Sequence, residues 1–124
     1  MRNYNLVEMI AFAGMAAAER TSDAISPPNA LEYLKAHGDT IIIDVRLAEQ
    51  FQQKHFTGAI NLPVAEIKAR AGEIPPNARV LLYCNSGRMA LRAYDYLKPL
   101  RPDLDMVYIA GGPAPIDEYN AWKK

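Results

Sequence analysis

This 124-residue sequence has a single cysteine, two histidines and one tryptophan. A lone cysteine excludes an intramolecular disulfide and any metal site built from several cysteines. It leaves no resolving thiol in the chain, so a disulfide or a sulfur relay needs a second molecule. His37 and His55 make no recognised ligand spacing with it, so no metal and no other cofactor is expected. An excess of either charge is also missing, with 14 basic against 14 acidic residues. That balance carries no footprint of a nucleic-acid-binding surface. No apolar run is long enough to span a bilayer. Repeats and low-complexity segments are absent.

What remains reads as one soluble globular domain: half of the residues are hydrophobic and 23% are charged, enough for a buried core. The first twenty residues stand apart and read two ways. Arg2 precedes a mostly apolar stretch, Leu6 to Ala18, ending in Ala16-Ala17-Ala18. This resembles a secretory signal, which would place the protein in the periplasm if residues 1–18 act as one. Glu8 inside the stretch argues against that, and the other reading is a helix in a cytoplasmic protein. Leu6, Met9, Ile10, Ala13 and Ala17 share one helical face, and Phe12 and Met15 lie on the other. A helix apolar on both faces needs two partners, so a homodimer through this helix is expected.

From Thr21 onward strands alternate with helices. Thr21 to Asn29 is linker-like, and Ser26-Pro27 starts a short helix that Gly38 stops. Thr40 to Val45 is a β-branched run suited to a buried parallel strand. Ala48 to Lys54 reads as a helix with Phe51 facing in. Gly58 to Leu62 is a strand closed by Pro63, and Val64 to Ala71 reads as a helix with Val64, Ile67 and Ala71 on one face. Val80 to Tyr83 is a strand, Met89 to Leu97 a helix stopped by Pro99, Met106 to Ile109 a strand, and Ile116 to Trp122 a last helix. The pattern argues an α/β fold with a central, mostly parallel sheet and helices on both faces. Sites in such sheets lie beyond the carboxyl ends of the strands. Arg46, Cys84 and Gly111-Gly112 each follow directly on a strand, so the topology gathers them at one edge.

Cys84 is the most informative residue. It ends the run Val80-Leu81-Leu82-Tyr83, and Asn85-Ser86-Gly87 leads from it into a helix at Arg88-Met89-Ala90. A buried, inert core thiol is one reading. The other is a nucleophile: a free thiol titrates at about 8.5, and a helix N-terminus or a nearby cation lowers that. N–H groups of Asn85 to Ala90 pointing inward would make an anion nest able to hold a sulfur anion or the terminal sulfur of a persulfide. The Gly87 position suits a positive φ that lets the loop curl. Arg88 has a planar fork suited to an oxyanion, and Arg92, one turn later, either adds to the field or pairs with Asp95 or a loop carboxylate. Tyr83 and Trp122 read as core or pocket wall, His37 as a helix-end cation and His55 as a structural residue.

Three segments resemble a known family. Ile43-Asp44-Val45-Arg46, followed by Glu49, Phe51, His55 and Gly58-Ala59-Ile60-Asn61-Leu62-Pro63, is the longest. Tyr83-Cys84-Asn85-Ser86-Gly87-Arg88 is the second, and Gly111-Gly112 the third. Together they resemble the single-domain rhodaneses, most closely the small phage-shock-type sulfurtransferases. The resemblance makes residues 21–124 a rhodanese domain and leaves residues 1–20 outside it. It implies a rhodanese-like α/β fold and a thiosulfate:cyanide sulfurtransferase working through a Cys84 persulfide. A small anionic sulfur donor, thiosulfate or a relative, would load Cys84, and a thiophilic acceptor, cyanide or a thiol, would unload it. Cys84 is then catalytic, Asn85, Ser86, Gly87, Arg88, Met89 and Ala90 bind the substrate, and Asp44 and Arg46 support the site. The family's six-residue active loop corresponds to Cys84 to Met89.

The sequence departs from that pattern at Asn85, where larger rhodaneses often carry Arg. Pro113 and Pro115 stand where a helix leading to a Trp usually begins, and Trp122 comes late. Two further readings stay on the page. One is a persulfide carrier or interaction module that delivers sulfur to a protein partner with little thiosulfate turnover. The other, a cysteine phosphatase of the same fold, needs Arg six residues after the cysteine to clamp phosphate. That position is Ala90.

Overall fold

The structure, a computed structural model, describes residues 23–124. The N-terminal helix or signal reading and the dimer contact through it fall on residues 1–20, outside the described residues. Five strands form one parallel sheet: β1 (Ala24–Ile25), β2 (Ile41–Asp44), β3 (Ile60–Asn61), β4 (Arg79–Tyr83) and β5 (Asp105–Ile109), in the order β1-β5-β4-β2-β3. The helices are α1 (Pro27–Ala36), α2 (Ala48–Gln53), α3 (Arg88–Leu100) and α4 (Ile116–Lys123). Among the described residues no helix is long and apolar enough to cross a membrane.

Strand periodicity divides the core. Val80 and Leu82 of β4, Ile43 of β2 and Met106 of β5 face one side, where Ala90, Ala93, Tyr94 and Leu97 of α3 pack with Ile67 and Ile74. Leu81, Tyr83, Ile42, Val107 and Ile109 face the other, against Ala30 and Leu34 of α1, Ile116 and Tyr119 of α4, and Phe56. Successive side chains of a strand point to opposite faces, and both faces are covered, so the middles of β2, β4 and β5 are apolar and their polar residues fall at the strand ends.

Several local expectations are corrected. The linker-like segment 21–29 contains β1, paired with β5 through Ala24–Tyr108 and Ile25–Ile109. Its neighbour Asp23 accepts a hydrogen bond from the Tyr94 hydroxyl. Residues 64–73 form two 3-10 turns, Val64–Glu66 and Ala71–Glu73, instead of one helix to Ala71. The chain leaves Pro63 through i→i+3 bonds, Glu66 N–H to Pro63 O at 2.8 Å and Ile67 N–H to Val64 O at 3.3 Å, yet Ile67 and Ala71 stay buried. Pro99 does not stop α3 but sits inside its last turn. A proline near a helix end forfeits one bond, and Arg101 N–H to Leu97 O at 2.7 Å closes the helix beyond it.

Phe51 lies on the less exposed side of α2 but is only half-buried, and α2 has no fully buried residue. Its ring stacks on His55, 3.9 Å between centroids, and Phe56 fills the core instead. Trp122 is not core: it is 47% exposed, with Tyr119 and Lys35 against its ring, and it is no part of the cavity at Cys84. The start of α1 is as expected, with the Ser26 hydroxyl accepting from Asn29 N–H at 3.3 Å.

Candidate functional site

All five strands run the same way, so their carboxyl ends share one edge. The register sets Asp44 beside Tyr83 and Asn61 beside Asp44. Cys84 leaves β4 at this edge and is only 2% exposed. The chain then folds back over its sulfur. Gly87 N–H donates to Cys84 Sγ at 3.1 Å and Ala90 N–H at 3.2 Å. The second donor belongs to the first turn of α3, whose N–H groups have no partners within the helix. Two peptide donors and a helix N-terminus therefore converge on one sulfur, an arrangement that favours negative charge there.

Glycine is required for this curl. Gly87 has φ +95°, a left-handed conformation that costs other residues strain. A β-carbon on Gly87 would also lie 2.5 Å from Gly111 N. The Gly111-Gly112 turn after β5 is thus the back wall of the cysteine loop. Ser86 Oγ accepts from Arg88 N–H at 3.3 Å and tightens the entry to α3.

Beside the loop, Asp44 is fully buried and paired to Arg46. Arg46 Nε donates to both Asp44 oxygens at 2.9 and 3.1 Å, Nη2 donates at 2.7 Å, and the Arg46 N–H donates at 3.0 Å. Burial opposes the Arg46 charge, but these bonds and the Asp44 charge outweigh it and push its pKa up. The guanidinium lies 4.8 Å from the Tyr83 ring centre. Burial of Tyr83 raises its phenol to about 12, against the opposing pull of Arg46. Arg46 Nη2 also donates to Lys54 O at 2.6 Å. Asn61 Nδ2 donates to the carbonyls of Asp44 and Arg46, both at 3.0 Å.

A cavity of about 310 Å³ opens over the sulfur. Cys84, Asn85, Ser86 and Met89 form one side, Val45, Arg46, Leu47 and Gln50 another, and Pro63, Val64 and Ala65 the third. Of the loop residues expected at the site, Asn85, Ser86 and Met89 wall this cavity. Gly87 and Ala90 face the sulfur through their N–H groups. Arg88 is exposed and lies outside the cavity wall, and its guanidinium has no carboxylate partner among the described residues. His55 is not in the wall either: its Nδ1 donates to Phe51 O at 2.7 Å. Pro113 walls a second cavity of about 530 Å³ on the far side of Asn85, with Arg46, Tyr83 and Asp117.

The apolar walls, Leu47, Val64 and Ala65, were invisible to sequence reasoning because an apolar side chain carries no chemical mark. Asn61 did carry one, since it is the polar residue of a two-residue strand, and its role as a brace follows from the pairing of β3 with β2.

This geometry has relatives. A thiosulfate sulfurtransferase from Escherichia coli K12, PspE, is 45% identical over 60 residues, 47% of this chain and 58% of that protein. A structure described as a rhodanese with anions from E. coli superposes with a TM-score of 0.51 at 41% identity, covering 59% of this chain and 86% of that one. A rhodanese-related protein from Thermoplasma volcanium, at 20% identity, shares the fold with a TM-score of 0.63 over 80% of this chain and 91% of its own. The chain spans about half the length, or less, of the curated relatives it matches. The family model of the rhodanese-like domain matches residues 27–115. With a single buried cysteine cradled at the strand edge of a five-stranded parallel sheet, this chain belongs to the rhodanese-like domain family.

Proposed function

We propose that this protein moves a sulfane sulfur from thiosulfate or a related donor to cyanide or a thiol through a persulfide on Cys84. The observation that carries the reading is the convergence of Gly87 N–H and Ala90 N–H on Cys84 Sγ at the floor of an open cavity. In the first half-reaction the Cys84 thiolate attacks the outer sulfur of thiosulfate. The S–S bond of the donor breaks, sulfite leaves with the bonding pair, and Cys84 carries the added sulfur. In the second, the acceptor attacks that outer sulfur and Cys84 leaves as thiolate. This is covalent, two-step catalysis, and no side-chain base is needed because peptide N–H groups bear the charge.

Arg88 supports the donor step. Exposed at the start of α3 and without a carboxylate partner among the described residues, it is placed to meet the sulfonate end of an incoming dianion. Asp44 and Arg46 act as positioning residues that fix the edge on which the loop rests. Phosphatase chemistry is disfavoured because the residue six after Cys84 is Ala90. It offers a peptide N–H and no guanidinium to clamp a phosphate.

Intact-protein mass tests the reading. After thiosulfate the wild type gains one sulfur atom, and cyanide then removes it as thiocyanate. Cys84→Ser gains none. Transfer by Cys84→Ser at the wild-type rate would overturn the assignment.

A further inference from the structure

The cavity over Cys84 does not end at Met89. Val64, Ala65 and Met89 are also walls of an adjoining cavity of about 300 Å³, whose remaining lining is Lys68, Arg92 and Tyr96. The two spaces share these three side chains as a common ridge. Each reaches the lower end of the size range of small-molecule sites. They differ in charge. The single cation of the first, Arg46, is neutralised by Asp44. The second has two cations and no carboxylate in its lining.

Among the described residues those two cations are uncompensated. Arg46, Lys54, Arg70, Arg79 and Arg101 all have carboxylate partners. Lys68 and Arg92 form no ion pair among the described residues. Asp95, three residues along α3 from Arg92, does not pair with it. Glu66, two residues before Lys68, is held by Arg70 at 2.8 Å. Lys68 Nζ instead sits over the Tyr96 ring, 4.3 Å from its centre, which leaves its N–H donors available. The groove thus offers two cations and an aromatic face, reached from Cys84 across an apolar ridge.

We propose that this groove binds the remote anionic group of an extended thiol acceptor, while the acceptor's sulfur reaches Cys84 across Met89 and Val64. The inference rests on the persulfide reading and adds the class of acceptor. A compact donor such as thiosulfate cannot span both spaces. A thiol with a carboxylate or phosphate several bonds from its sulfur can. Its thiolate attacks the outer sulfur of Cys84–S–S⁻; the bond between that sulfur and Cys84 breaks as the new S–S bond forms. Cys84 leaves as thiolate, the acceptor leaves as persulfide anion, and no outside oxidant or reductant takes part.

The test begins with protein loaded by thiosulfate, or by polysulfide where thiosulfate does not load it, with the added sulfur verified by mass. Single-turnover transfer is then measured to glutathione, coenzyme A and neutral 2-mercaptoethanol, in wild type, Lys68→Gln, Arg92→Gln and the double variant. Intrinsic thiol reactivity cancels when each variant's preference for an anionic thiol over 2-mercaptoethanol is compared with that of wild type. The preference is expected to fall by about threefold in each single variant and about tenfold in the double, and to weaken with added salt in wild type. Which thiol loses more tells carboxylate from phosphate recognition. S-methylglutathione, which cannot accept sulfur, gives an independent readout as an inhibitor that weakens in the double variant. An unchanged preference in a double variant that still loads would overturn the groove assignment alone. Failure of wild type to take up sulfur from either source would overturn the persulfide reading with it.

Discussion

Gly112 packs against the backbone carbonyl of Asn85 so closely that no β-carbon fits between them. The turn after β5 and the loop after β4 are far apart in sequence, yet each sets the shape of the other. Gly112→Ala should therefore push Asn85 outward and lift the loop from the sulfur. Sulfur uptake by Cys84 is expected to fall at least tenfold. Gly38→Ala is the matched control, because a β-carbon there meets nothing within 4 Å. Stopped uptake assays followed by mass separate the two, and equal rates would refute the constraint.

Arg88 and the sulfur cradle make separable contributions. Arg88→Ala should lower the second-order rate of loading by thiosulfate by about fivefold, the scale of an exposed ionic contact. Cyanide attack on the loaded protein should change less, because cyanide carries one charge and no sulfonate. Measuring each half-reaction alone decides it, and equal losses in both would remove Arg88 from donor binding.

The buried pair at the edge is a stability device with a clear signature. Arg46→Met leaves the Asp44 carboxylate buried without its counter-charge, a change expected to cost about 3–5 kcal/mol. Replacing both, Asp44→Asn with Arg46→Met, should recover part of that loss. Urea unfolding of the three variants gives the answer. A double variant less stable than Arg46→Met would contradict the account.

Acid stability has a source far from the site. Arg101 donates to Asp103 at 2.9 and 2.8 Å, and Asn77 N–H adds a bond of 2.7 Å. These bonds, the guanidinium first, hold the Asp103 carboxyl well below the usual carboxylate range. A native pKa below the unfolded one means that the contribution is complete above the ordinary aspartate value of about 4. It is lost as the pH falls from there toward the native value. Asp103→Asn should therefore be less stable than wild type near neutrality, with the gap closing between about pH 4 and pH 2. Urea midpoints across that range check it, and a constant gap would refute it.

The parts legible in the sequence were those with a strong local pattern. The run from Val80 to Tyr83 announces β4, and Gly87 with Arg88 announces the turn into α3. The alternation of strands and helices gives the parallel sheet, and with it the shared edge of Arg46, Cys84 and Gly111. β1 was not legible because two residues cannot show a period; its pairing with β5 comes from tertiary contact. The apolar spacing of Val64, Ile67 and Ala71 fits a helix but is equally satisfied by two 3-10 turns. Phe51 and Phe56 are both aromatic, and only packing makes Phe56 the fully buried one. The groove at Lys68, Arg92 and Tyr96 joins residues from two elements, and no local pattern marks that meeting.

The sulfur of Cys84 is held by peptide groups, and peptide groups are the part of a chain that substitution leaves in place. Asn85, Ser86 and Met89 turn their side chains to the cavity while their backbone keeps the curl. The chemistry and the choice of customer are thus written in different alphabets. A lineage can rewrite Asn85 and Met89 to court a new sulfur source and leave the hold on the sulfur as it was.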